Sequence, residues 1–145
     1  MKNADLRKTT LVIVLILASF CVYSQQKEVK NDMLSLNGVE FWHKWKPSKC
    51  FNKKSPLQLN VKVKNTNAYC VKVELQVNYY QSGIIKEQSD TVSLCLNPNQ
   101  SKQGSKNGLN FSAGSFTNAE INNPAFTYEV NPIKIIKMRS CQENK

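Results

Sequence analysis

A single histidine, His43, serves the whole 145-residue chain. A nucleophile–base pair or a histidine-rich metal cluster therefore has one imidazole to draw on. Neither G-x-S-x-G nor H-E-x-x-H occurs, and the five glycines build no phosphate-cradling loop. Acidic residues are scarce, ten Asp and Glu against 20 Lys and Arg. Glu87 and Asp90 lie close in sequence but on opposite faces of an ideal strand, so nothing selects a glycosidase-type carboxylate pair. The five cysteines show no C-x-x-C spacing, the usual mark of zinc or thioredoxin-type redox chemistry. Sustained helical periodicity with caps is missing too. These absences point away from an enzyme: no catalytic residue, metal or cofactor is expected, and His43 reads as a surface residue.

The longest apolar run is at the N-terminus. Leu11 to Leu17 is uninterrupted and trails through Ala18, Ser19 and Phe20. Lys2, Arg7 and Lys8 precede it, with Asp5 among them, and Val22-Tyr23-Ser24 follows. Charge, short apolar segment and small-residue end is the order of a secretory signal. The run falls short of the roughly 20 residues that span a bilayer. Cleavage is expected between Ser24 and Gln25. Lipidation at Cys21 is the weaker alternative, because Phe20 stands where a small residue normally precedes a lipid-modified cysteine. Signals that end in Ser followed by Gln resemble those of the Bacteroidetes group of Gram-negative bacteria. The expected destination is the periplasm, the cell envelope or the exterior, with no membrane span left after cleavage. Cleavage would remove three basic residues and one acidic one, lowering the formal charge of +10 by two. A chain this basic stays soluble and is drawn to anionic surfaces.

Residues 25–33 read as a flexible lead-in, 34–140 as one domain and 141–145 as a tail. Within the domain, Leu57, Leu59, Val61 and Val63 alternate with Gln58, Asn60, Lys62 and Lys64, the period-two pattern of a half-buried strand. Val71, Val73, Leu75, Val77 and Tyr79 repeat the pattern before a break at Gln81-Ser82-Gly83. A third extended run covers Ile84 to Leu96 and stops at Asn97-Pro98-Asn99-Gln100. Ser101 to Gly108, rich in Lys, Ser, Gly and Asn, reads as a mobile loop. Shorter strands are expected at 109–111, 126–130 and 133–138, the last two separated by Asn131-Pro132. Short strands between turn signals predict an antiparallel, all-β sandwich.

Four cysteines remain after signal cleavage: Cys50, Cys70, Cys95 and Cys141. In an exported chain of this size they predict two disulfides. A two-residue turn at Ser82-Gly83 would set Cys70 opposite Cys95 in a non-hydrogen-bonded pair, with Cα atoms about 4.5 Å apart. Cys50 would then pair with Cys141 by elimination. The same register places Leu75 opposite Asp90, which a bulge would have to relieve.

The strand Val71 to Tyr80, the turn at Gln81-Ser82-Gly83, the strand from Ile84 and the corner Leu96-Asn97-Pro98-Asn99 together resemble the FxLYD-type, immunoglobulin-like domains of bacterial envelope proteins. Tyr79 and Tyr80 stand at the family's aromatic positions, while Gln81 replaces its Asp and Asn99 its corner Gly. The resemblance covers about a third of the mature chain. It implies an immunoglobulin-like fold and an envelope setting, and it carries no catalytic residues.

The most distinctive segment is FWHKWKPSKCFNKK, from Phe41 to Lys54. It holds both tryptophans, Trp42 and Trp45, among Lys44, Lys46, Lys49, Lys53 and Lys54, and no acidic residue. Aromatics among cations suit stacking on a sugar or base beside an anionic group; the plainer alternative is tryptophans in the core and lysines in solvent. Pro47 and Ser48 are expected to break the strand and present the segment as a loop. The leading function is a non-enzymatic binding or structural module of the envelope. A carbohydrate- or polyanion-binding module using residues 41–54 comes next, and an enzyme with an unrecognised site is the third class. The expected partner is a protein or an anionic glycan, with nucleic acid disfavoured. N-terminal sequencing of the protein from its native host is expected to begin at Gln25; a lipidated Cys21 or an intact Met1 would reject the signal-peptide reading.

Overall fold

The computed structural model describes residues 33–49, 51–52 and 54–141. The leader, the cleavage site, Cys21, most of the lead-in, Cys50, Lys53 and residues 142–145 lie outside the described residues. The strands are β1 (Met33–Leu36), β2 (Val39–Pro47), β3 (Leu57–Asn65), β4 (Cys70–Gln81), β5 (Ile84–Gln88), β6 (Val92–Leu96), β7 (Ser101–Gln103), β8 (Asn110–Ser112) and β9 (Phe126–Met138); a four-residue helix α1 (Asn118–Ile121) precedes β9. The all-β, antiparallel expectation holds. In the first sheet β1, β2 and β3 lie side by side, and β7 and β8 share the far edge of β3. In the second, β4 is central, β9 runs along one edge, and β5 and β6 share the other. No helix among the described residues is long and apolar enough to cross a membrane.

Alternation builds the core. Leu59, Val61 and Val63 of β3 and Val71, Val73, Leu75, Val77 and Tyr79 of β4 are at most 1% exposed. Val39 and Phe41 of β2, Leu94 and Leu96 of β6, Phe111 of β8 and Phe126 and Val130 of β9 belong to the same cluster, with Leu109, Ala113 and Ile121. Burying each Val or Leu contributes about 1.5–3 kcal/mol.

Several connections differ from the sequence expectation. The strand ends at Pro47-Ser48 as expected, Pro47 being the last residue of β2 and paired with Leu57, but Phe41 to Lys46 belong to the strand and not to a loop. Among the described residues β1 pairs with Val39 to Trp42 alone, which leaves Pro47 at an edge position where a missing N–H is tolerated. Ser101 to Gln103 is strand β7, and a 3-10 turn at Ser105–Asn107 closed by a Gly104–Leu109 bridge replaces the rest of the expected loop. Asn131-Pro132 does not divide β9: the ladder passes from Leu75–Pro132 to Glu74–Lys134, so Ile133 is extruded as a bulge on an edge strand. The helix α1, too short to show a period, is announced by the capping box of Thr117 and Glu120.

The expected Cys70–Cys95 disulfide is not formed. The Gln81–Ile84 pair follows the two-residue turn, but a bulge at Tyr79/Tyr80 and the break in the ladder between Gln88 and Val92 displace the far half by two residues. Cys95 therefore faces Lys72, and Leu75 meets Val92 where the uncorrected register offered Asp90. Cys95 bonds instead to Cys141, Cα–Cα 5.5 Å, and Cys70 is a free thiol. That removes the Cys50–Cys141 pairing as well, and it fastens Cys141, assigned to the tail by sequence, onto β6. Closing 46 residues stabilises the fold by about 4 kcal/mol in the chain-entropy account.

A carboxylate clasp joins the sheets at the β5–β8 edge. The backbone N–H of Ser115 donates to Glu87 Oε1 at 2.9 Å, and the Ser115 hydroxyl donates to the same oxygen. These bonds hold the Glu87 carboxyl below the usual glutamate range. Gly114 makes the approach possible: it has φ +60°, and a Cβ there would overlap the Glu87 carboxylate. Gly114→Ala is expected to lower stability in denaturant titrations by about 2 kcal/mol, from left-handed strain and the displaced charged hydrogen bonds. Because the folded-state pKa is depressed, the clasp's contribution is complete above the ordinary glutamate pKa. It is lost as pH falls through the folded value, and Glu87→Gln is expected to flatten that part of the pH–stability curve.

Candidate functional site

On β2 the alternation sends Val39, Phe41, His43, Trp45 and Pro47 toward the core side and Glu40, Trp42, Lys44 and Lys46 outward. On β3 Gln58, Asn60, Lys62 and Lys64 face outward. The register sets these side by side: Glu40 by Lys64, Trp42 by Lys62, Lys44 by Asn60 and Lys46 by Gln58. On the far side of β3 the rows continue with Ser101, Gln103, Asn110 and Ser112. The result is a lattice of polar side chains, with rows about 6.8 Å and columns about 4.8 Å apart.

Four lysines, one tryptophan and a group of amides occupy this face, with Glu40 at one corner. The Lys62 ammonium lies 5.1 Å from the centre of the Trp42 ring, a cation–π contact. The Asn60 amide donates to Asn110 Oδ1, joining two columns. A shallow hollow of about 350 Å³ is lined by Trp42, Lys44, Lys46, Asn60, Lys62 and Gln103 together with His43. No carboxylate lies within ion-pair distance of Lys44, Lys46, Lys62 or Lys64 among the described residues; the ion pair found there, Lys72–Glu74 at 2.8 Å, is on the other sheet.

The expected segment is divided. Trp42, Lys44 and Lys46 come together on the lattice. Trp45 turns to the opposite side and joins an aromatic group, with ring centres 6.3 Å from Tyr79, 5.9 Å from Phe126 and 5.4 Å from Tyr128. It is a packing residue, because one residue along a strand reverses the face. Lys49 and Lys54 are exposed in the connection beyond Pro47. That connection is held by Ser48 N to Pro56 O at 2.9 Å and by Asn118 of α1, which receives Leu57 N and donates to Ser55 O. Lys53 lies outside the described residues. His43 is half-buried rather than on the open surface: its Nδ1 is 2.9 Å from the Tyr128 hydroxyl, and the two rings meet edge to face.

Sequence proximity missed Asn60, Lys62, Lys64 and Gln103, which reach Trp42 only through strand pairing. The outward half of the β3 alternation was their available signal.

Trp45→Ala is expected to cost about 3 kcal/mol in denaturant unfolding, at the lower end for a large aromatic that is only partly buried. Trp42→Ala is expected to cost about 1 kcal/mol or less, the scale of an exposed cation–π contact. Equal losses would contradict the two opposite roles. Compared with protein-family models, with curated proteins and with solved structures, the chain matches none.

Proposed function

We propose that this chain is an exported, non-catalytic, immunoglobulin-like β-sandwich module that binds an acidic glycan of the cell envelope through the outer face of its first sheet. The observation that carries the reading is the lattice: Trp42 and Lys44, Lys46, Lys62 and Lys64, with no carboxylate at ion-pair distance among the described residues, share one face with the amides of Gln58, Asn60 and Gln103. Each type has a role. An indole offers an apolar platform for a sugar ring, amides exchange hydrogen bonds with hydroxyls, and ammonium groups attract carboxylate or sulfate. Strand pairing already fixes the backbone of these residues, so little backbone ordering is needed on binding.

An acidic glycan fits better than a nucleic acid. Single-strand binders offer successive aromatic platforms for successive bases; among the described residues this face has one tryptophan. The surrounding amides suit a hydroxyl-rich chain.

The test compares a polyuronate, a sulfated polysaccharide and uncharged dextran by titration calorimetry at several salt concentrations. Binding to the charged polymers and not to dextran is expected, weakening as salt rises. Replacing Lys44, Lys46, Lys62 and Lys64 together with Gln is expected to reduce affinity at least about tenfold and to flatten the salt dependence. Unchanged affinity and an unchanged salt slope would overturn the reading.

A further inference from the structure

Three cysteines converge at one end of the second sheet's outer face. Cys70 opens β4 and points away from the valine stripe. Lys72, the next residue on that face, stands across from Cys95 on β6. Asn97 is the next outward position after Cys95, and the Cys70 thiol donates to Asn97 Oδ1 at 3.4 Å. The thiol thus leans toward β6. On its other flank Cys70 is paired with Met138 of β9. Three residues beyond Met138, Cys141 is bonded to Cys95.

The chain must therefore pass from β9 to β6 across the end of β4. Two strand spacings are about 10 Å, and three extended residues reach about 10 Å. The 5.5 Å Cα separation of the disulfide covers part of that span, and the chain leaves β9 at the level of Cys70, so Cys141 comes to Cys95 from the Cys70 side. All three cysteines are half-buried, so solvent can deliver and remove protons.

We propose that Cys70, Cys95 and Cys141 form a thiol–disulfide exchange site in which Cys70 takes Cys141 from Cys95. The Cys70 thiol loses its proton to solvent and its thiolate attacks Cys141 Sγ. The Cys70–Cys141 bond forms as the Cys141–Cys95 bond breaks; the electron pair leaves on Cys95 Sγ, which takes a proton from solvent. One disulfide and one thiol stand on each side of the exchange, so no oxidant or reductant is consumed. The attack falls on Cys141 because the chain from Met138, the β9 partner of Cys70, brings that residue in, with Cys95 as the leaving group. The consequence is mechanical: the C-terminal tie moves from the edge strand β6 to the central strand β4, and a thiol appears on β6.

Disulfide mapping of the oxidised full chain decides the matter. The protein is incubated at pH 8, quenched with acid, alkylated, digested without reduction and analysed by mass spectrometry. Cys95–Cys141 peptides with a smaller Cys70–Cys141 population are expected, and Cys70→Ser should remove the second species alone. Cys95→Ala should trap Cys70–Cys141 as the main linkage. The proposal is overturned if wild-type protein contains no Cys70–Cys141 linkage, or if Cys95→Ala leaves Cys141 alkylatable or joined to Cys50. The wild-type mapping decides on its own should Cys95→Ala fail to fold.

Discussion

The pressing of β4 against β3 governs the rest of the molecule. The two strands contribute eight inward side chains that exclude water almost completely. In a strand the side-chain period is two, so a slip of one residue would send Lys62, Lys72 and Glu74 into the core and expose the valines. No partner inside could compensate such charges. The register is thereby fixed, and the outward residues go where they go as a by-product. The lysine–amide lattice and the cysteine cluster are both reverse sides of this one hydrophobic seam.

Polar groups secure the ends of the seam. Asn65, fully buried at the end of β3, donates its amide to the carbonyl oxygens of Tyr69, Leu96 and Asn97, and its side-chain oxygen accepts from Asn67 N. It thus ties the first sheet to the β4 and β6 ends of the second, and satisfies backbone groups that burial would otherwise leave unpaired. At the opposite edge Glu87 does the same through Ser115. Between them, the Tyr79 hydroxyl is buried with no hydrogen-bond partner among the described residues. Burial first, and the Glu87 charge second, hold its pKa well above the ordinary phenol value. Its ring packing with Trp45 and Phe126 offsets the cost of that unmade bond.

Two strands were plain in the sequence because one of their faces is buried and the other wet. β3 and β4 follow the alternation of Leu57 to Lys64 and Val71 to Tyr79 almost residue for residue. The segment from Phe41 to Lys54 was visible as unusual, but not its division: the same alternation that makes a strand puts Trp42 and Trp45 on opposite sides. β7 escaped notice because a three-residue strand of Ser, Lys and Gln has no apolar face of its own. It is a strand because β3 offers an edge to pair with.

The hairpin shows where local grammar ends. Gln81-Ser82-Gly83 announced a turn, and the pairing beside that turn is as expected. Six residues along β4 the register is displaced by two, since Leu75 is better buried against Val92 than against Asp90. That displacement separates Cys70 from Cys95 and leaves Cys95 to Cys141. By itself, the sequence determined the all-β class, the core stripe and the basic, carboxylate-poor composition of one segment. These depend on neighbours one or two residues away. Which lysines share a face, which tryptophan is buried and which cysteines meet were decided only by tertiary structure, because each depends on strand pairing between residues far apart in the chain, and a bulge of one residue reassigns every contact beyond it.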